Sequence, residues 1–218
     1  MELLSQYRPR QINDNNLKRE IRRTQLLTRL LKSEKCRDVT RMGPKAFRQL
    51  CQKLRETGRV KDSTRSTVEE QVAKFQHIIG HNVKTRTMSF FFHRSGETIS
   101  RHFHNVLHAI PSLEGDFFKQ PSSEGVPYEI FHNSRFYPFF TDCIGVIDGT
   151  HSRVKVLRVE APRFYGRKDH PTQNVLAACG FDMKFTYVLS GWEGIASDSR
   201  ILKDALSREY PLRISEVL

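Results

Sequence analysis

The run Cys143-Ile144-Gly145-Val146-Ile147-Asp148-Gly149-Thr150-His151 decides the fold. Its first five residues are apolar or small and show no alternation, which predicts a strand buried on both faces. Asp148 at the end of such a strand is held by a rigid element and aimed at the sheet's edge, a position suited to a metal ligand. Asp148-Gly149 also reads as a favoured turn pair between two strands. Ser152 to Leu157 predicts a second short strand. Asn174 to Phe181 and Phe185 to Trp192 predict a hairpin around Asp182-Met183-Lys184. Gly194 to Ser199 then leads into a helix with Ile201, Leu202, Ala205 and Leu206 on one stripe, and Ser197 or Asp198 is its natural N-cap. Asp148 and Asp198, at strand and helix ends, are the candidate catalytic and metal-binding pair, able to converge on one divalent ion. Hard oxygen ligands select Mg²⁺ or Mn²⁺ over Zn²⁺. Phosphoryl transfer by a carboxylate-bound metal pair uses acids in this way, with ions beside both the attacking and the leaving oxygens.

Upstream, the pattern changes. Pro111, Gly115, Pro121, Ser122, Ser123, Gly125 and Pro127 break any period, so 111–134 reads as a linker or long loop between a helical domain, 1–110, and a strand-rich domain, 135–218. In the first, Leu17, Ile21, Leu27, Leu30 and Leu31 mark a helix over 14–33, and Pro44 opens another over 43–56 with Phe47, Leu50, Cys51 and Leu54 inward. Thr67-Val68-Glu69-Glu70 is a capping box, followed by Val68, Val72, Phe75 and Ile79 inward and a stop at Gly80. Helices over about 84–92 and 96–110 flank His93-Arg94-Ser95-Gly96. The second buries Ile99, Phe103, Val106, Leu107 and Ile110, and shows Glu97, Thr98, Arg101, His104 and Asn105 outward. A short helix, a turn and a helix with polar first turns has helix-turn-helix logic, in which Thr98, Arg101 and Asn105 face a groove. By pattern alone, a plain helical hairpin packing two faces together is the better fit.

Charge separates the two halves. The chain of 218 residues carries a net +12. Residues 1–66 hold 18 basic and 7 acidic side chains, net +11; residues 67–110 are net +2; residues 111–218 are net −1. A basic half joined to a neutral one suggests a nucleic-acid-facing module beside something with another job. Arg163, Arg167 and Lys168, in the loop Arg163 to His170, are further candidate DNA-phosphate contacts.

Several classes fall away. The apolar runs are too short to span a bilayer and the first residues carry no signal-peptide core. Cys36, Cys51, Cys143 and Cys179 form no CxxC pair and read as reduced thiols. An aspartyl-phosphate phosphatase needs a second Asp where Val146 stands. His77 and His81 have zinc-protease spacing, but Ile78 occupies the place of the base Glu. Walker, GxSxG and GxGxxG loops do not occur.

Cys143 to His151, Gln173 to Gly194 and Ala196 to Leu202 resemble the plant branch of the PIF/Harbinger transposases, a family that includes domesticated nuclease-like proteins. Lys45 to Leu54 and Arg94 to Arg101 resemble the helical domain preceding the catalytic one there. The resemblance implies an α+β or α/β chain: a helical domain with a helix-turn-helix-like hairpin, then an RNase H-like mixed sheet with helices, of the DDE endonuclease type. It implies a divalent metal cation as cofactor, DNA as partner, a separate Myb-like DNA-binding protein, no membrane, and a nuclear or also cytoplasmic location. Asp148 matches the first metal-binding acid and Asp198 the acid of the Ser-Asp-Ser segment. The family's Gly-Asp-Ala/Ser-Gly strand and its Glu-bearing helix do not occur before Leu218. The sequence therefore reads as a C-terminally truncated, incomplete and inactive nuclease domain with an open sheet edge prone to self-association. The alternative is a non-enzymatic DNA- or protein-binding module.

Overall fold

The computed structural model describes residues 14–32, 35–121 and 125–214. Ser33, Ser122, Ser123, the first 13 residues and the last four, which several of the sequence readings include, lie outside them. The chain divides into two compact units, Met1–Leu113 and Glu114–Leu218.

The first unit is helical. Helices α1 (Asp14–Lys32), α2 (Lys35–Thr40), α3 (Pro44–Glu56), α4 (Val68–His81), α5 (Thr85–Phe92) and α6 (Gly96–Ala109) are followed by a 3₁₀ turn at Ile110–Leu113. The short α2 was not evident from the sequence. Pro44 starts α3 at the position where its missing N–H costs nothing. Thr67 caps α4, its hydroxyl accepting the Glu70 backbone N–H at 3.2 Å. The reciprocal half of the expected capping box is absent, because the Glu70 carboxylate is committed to Lys74 and Arg94. Gly80 does not stop α4. Asn82 does, by taking the left-handed conformation at φ 51°. Gly80 instead admits Arg41, whose guanidinium donates to its carbonyl. Phe47, Leu54, Val68, Val72, Met88, Ile99 and Val106 fill the core. Ile79 and Leu107, expected inward, are exposed, and His102, on the same face as Ile99 and Val106, is buried in their place.

One buried polar network ties α4, α5 and α6 together. Lys74 is fully buried. Its ammonium bonds Glu70, lies 2.9 Å from His102 Nδ1 and sits over the Phe92 ring. Arg94 grips both Glu70 oxygens at 2.9 Å and reaches the Arg65 carbonyl. Burial lowers Lys74 to about 8, the Glu70 charge working against that shift. Burial and the Lys74 charge lower His102 to about 4, so its imidazole is neutral.

The second unit begins with short helices α7 (Glu114–Phe117) and α8 (Tyr128–Phe131), so the expected linker is partly helical. Strand β1 (Val146–Arg153), helix α9 (Ala161–Phe164), strands β2 (Thr172–Cys179) and β3 (Phe185–Glu193), and helix α10 (Asp198–Ser207) follow. The strands form one antiparallel sheet in the order β1-β2-β3, with no parallel pair among the described residues, unlike the mixed sheet expected. The run through Arg153 is one strand rather than two separated by a turn at Asp148-Gly149.

Burial in β2 alternates strictly. Leu176 and Ala178 pack with Leu189 of β3 under Ile201 and Ala205 of α10. Residues in β1 were expected to be buried on both faces. Instead Val146 and Ile147 are exposed, because β1 is the sheet's outer strand and α10 packs on β2 and β3.

Candidate functional site

The β1–β2 register fixes which side chains share a face. His151 pairs with Asn174, Gly149 with Leu176 and Asp148 with Ala177. Successive residues of a strand point to opposite faces. Gly149, His151, Asn174 and Leu176 therefore face α10, and Asp148, Thr150 and Val175 face away.

Asp198 enters from the first turn of α10. Ser197 takes the cap, its hydroxyl accepting the Arg200 N–H at 3.4 Å, which settles the choice between Ser197 and Asp198. The Asp198 carboxylate is thereby left for other work. Its Oδ1 accepts from Asn174 Nδ2 at 3.3 Å. It lies so close to β1 that a Cβ on Gly149 would come within 2.7 Å of it. Only glycine at 149 leaves room for this approach.

Asn174 was not singled out from the sequence. It is 1% exposed, on a strand whose neighbouring inward residues are Leu176 and Ala178. Its Nδ2 reaches Asp198 and, at 3.5 Å, the Ala196 carbonyl, while its Oδ1 has no hydrogen-bond partner among the described residues. Leaving such an oxygen buried and unpaired costs about 1–3 kcal/mol. Buried polar groups kept at that cost concentrate at sites with a role. The available signal was a polar residue at an inward position of an alternating strand.

Asp148 is exposed and folds back on the chain, its Oδ1 accepting the Gly149 N–H at 2.8 Å. The two acids thus flank Gly149 from opposite faces of β1. The sequence reading has the two acids converge on one divalent ion; the register puts them on opposite faces, α10 delivering Asp198 over Gly149 and not over Asp148.

Asp198 lines an open cleft of about 600 Å³ with His151, Tyr165, Arg167, Ala196 and Ser197. His151 Nδ1 is 3.0 Å from the Thr172 hydroxyl. The basic loop is held at the cleft by two glycines. A Cβ on Gly166 would clash with the Gly194 carbonyl, and one on Gly194 with the Phe164 carbonyl. Arg167 consequently stands on the rim, and Lys168 is exposed beside it. Arg163, the third expected phosphate contact, is exposed and its guanidinium is paired with Glu193.

In the helical unit, Thr98 is half-buried and its hydroxyl lies 2.9 Å from the Ser95 hydroxyl at the α6 cap. Arg101 is exposed, 3.7 Å from Glu97, and Asn105 is exposed one turn on. Arg101 and Asn105 therefore present together, while Thr98 is engaged in the cap.

The accessible donors beside Gly149 are carboxylate oxygens, the kind that hard divalent cations take. Among the described residues, no cluster of three or more His, Cys, Asp or Glu could hold a metal ion. No helix is long and apolar enough to cross a membrane among them.

Residues 19–112, most of the helical unit, match a family described only as a domain of unknown function, DUF8040. No curated protein and no solved structure matches the chain. Residues 147–211, which include all of β1 but Val146, the hairpin and α10 with Asp148 and Asp198, match the DDE superfamily endonucleases, enzymes that are generally divalent-metal dependent, so the chain carries a DDE superfamily endonuclease domain.

Proposed function

We propose that this protein is a transposase-derived, DDE-type nuclease-like protein of the PIF/Harbinger kind. In this reading the second unit holds Mg²⁺ or Mn²⁺ through Asp198 and Asp148 beside a DNA phosphate, and the helical unit contacts the DNA backbone. The observation that carries it is Asp198, freed from capping by Ser197 and pressed against β1 at the residue following Asp148, in a cleft rimmed by Arg167. Bound metal would polarise a phosphodiester and activate water. Asp148 and Asp198 would anchor it, Arg167 would neutralise phosphate charge, and the sheet–helix packing would keep the acids fixed.

In-line displacement by two metals needs ions at both the entering and the leaving oxygen. Two carboxylates satisfy only part of that need, so the described residues bind metal and DNA without cleaving it. A nuclear location and a Myb-like targeting partner belong to the same reading, on the strength of the sequence resemblance. Incubating the chain with supercoiled DNA and Mn²⁺ tests it, with Asp148→Asn and Asp198→Asn beside the wild type. Retarded, uncut DNA together with Mn²⁺ binding lost in both variants is the expected result. Nicking abolished by either variant would replace it with an active nuclease, and absence of Mn²⁺ binding would leave only a DNA- or protein-binding module.

A further inference from the structure

Asn174 is the buried polar group in the second unit that neither packing nor the sheet explains. It occupies an inward place in β2 where Leu176 and Ala178 are apolar, and it is 1% exposed. Its amide N–H group spans two points on the chain entering α10: the Ala196 carbonyl at 3.5 Å and Asp198 Oδ1 at 3.3 Å. Its own oxygen is left without a partner, buried beside Gly149. An amide placed only to hold the strand to the helix would be expected to satisfy its acceptor as well. The donor side is used and the acceptor side sacrificed, which identifies the job as presenting N–H to Asp198. Gly149 completes the arrangement, because any side chain there would push the carboxylate away. The Asn174 oxygen is too enclosed to serve as a ligand itself.

We propose that Asn174 is the positioning residue for Asp198, fixing the carboxylate against β1 in the orientation that receives a divalent cation. This rests on the metal-site reading above. Asn174 orients the acid and does not touch the ion. Partners of this kind change metal affinity by about 10- to 100-fold when removed.

The test measures Mn²⁺ affinity of the full chain by electron paramagnetic resonance of the free ion, with thermal unfolding in parallel. Wild type is compared with Asn174→Leu and with Asp198→Asn, the latter as the non-binding control. Asn174→Thr, a good strand former whose hydroxyl is too short to span to Asp198, serves if the leucine variant does not fold. Leu176→Ala controls for general loosening of the same sheet face. The expected result is an affinity drop of about tenfold or more in Asn174→Leu, and a smaller drop in Leu176→Ala at equal or greater loss of thermal stability. Wild-type affinity in Asn174→Leu or Asn174→Thr, or an equal loss in Leu176→Ala, would overturn the positioning role while leaving the metal reading intact. No Mn²⁺ uptake by the wild type would overturn both.

Discussion

The main buried polar groups of the two units differ in kind, although the helical unit also leaves Ser66 Oγ and His81 Nε2 buried without a partner among the described residues. The helical unit hides Glu70, Lys74 and His102 among aliphatic and aromatic side chains, and each finds a partner there: Lys74 has Glu70 and His102, and Glu70 has Lys74 and Arg94. The sheet unit keeps Asp148 and Asp198 exposed and buries instead a neutral amide whose oxygen is unpaired. A closed, satisfied network rigidifies a core. An unsatisfied buried group next to an exposed carboxylate belongs to a site. The comparison therefore separates architecture from chemistry: the most perturbed titratable groups lie in the helical unit, yet they hold helices together, and the groups suited to bind a cation lie in the other.

The largest effect that could break this comparison is on folding. Glu70→Gln leaves Lys74 and Arg94 buried without their counter-charge, and the loss of a partner from a buried pair costs about 3–5 kcal/mol. Lys74, already lowered to about 8, can shed its proton and relieve part of this, so we expect the low end of that range. Urea denaturation followed by far-UV circular dichroism measures it. A loss under ~1 kcal/mol would mean that the network is incidental to the helical core.

Next in size is a pH dependence centred on the buried groups of the helical unit. His102 has a folded value near 4 against an ordinary 6.5, so between those values the unfolded chain binds the extra proton. Stability therefore falls as pH drops from 6.5 towards 4. Glu70, also lowered, acts in the same direction at the acid end. Lys74, near 8 when folded against 10.5, makes stability rise from pH 8 to 10.5. Each window is worth on the order of 3 kcal/mol. Denaturation at pH 5, 7 and 9.5 should show both slopes. His102→Gln should flatten the acid one and Lys74→Met the alkaline one, and slopes unchanged by these variants would locate the titration elsewhere.

The stability effect of the acids should be smaller still. Asp198 is exposed and Ser197 carries the cap, so Asp198→Asn should change stability by no more than about 0.5 kcal/mol while removing Mn²⁺ binding. A large loss of stability would make Asp198 part of the architecture and erase the contrast between the units.

How much of this was legible follows from what local sequence encodes. Thr67, Pro44 and Ser197 announced helix starts because caps act over one turn, and the hairpin around Asp182-Met183-Lys184 stood out through its β-branched and aromatic runs. The buried charges did not. Glu70 reads as a capping-box acid until Arg94, 24 residues away, is seen to claim it. Asn174 was missed for the same reason: its partner Asp198 is also 24 residues away, and only the fold brings them together. Asp148 and Asp198 were legible as candidates, but their opposite faces were not, since face depends on the β1–β2 register and on where α10 lands. Exposure of β1 was likewise invisible, because an apolar run states that a strand can be buried and not that another layer covers it.

The smallest effect tests whether the helical unit has a surface role to match its core. Arg101 and Asn105 are exposed one turn apart on α6, and Arg94, in the turn before α6, is locked onto Glu70, which fixes how that helix is presented. A phosphate contact contributes roughly one unit to the slope of log affinity against log salt, independent of sequence. We expect the chain to bind duplex DNA more weakly at 200 mM than at 50 mM salt, and Arg101→Ala to reduce the slope by about 1. Arg101 is 3.7 Å from Glu97 across the surface, an exposed pair that adds little to stability, so its loss should leave unfolding unchanged and isolate the binding term. Glu97→Gln frees the guanidinium and should strengthen binding slightly. A slope unaltered in both variants would remove α6 from the DNA contact and leave the basic helix α1, with Arg19, Arg22 and Arg29 on it, as the surface to test.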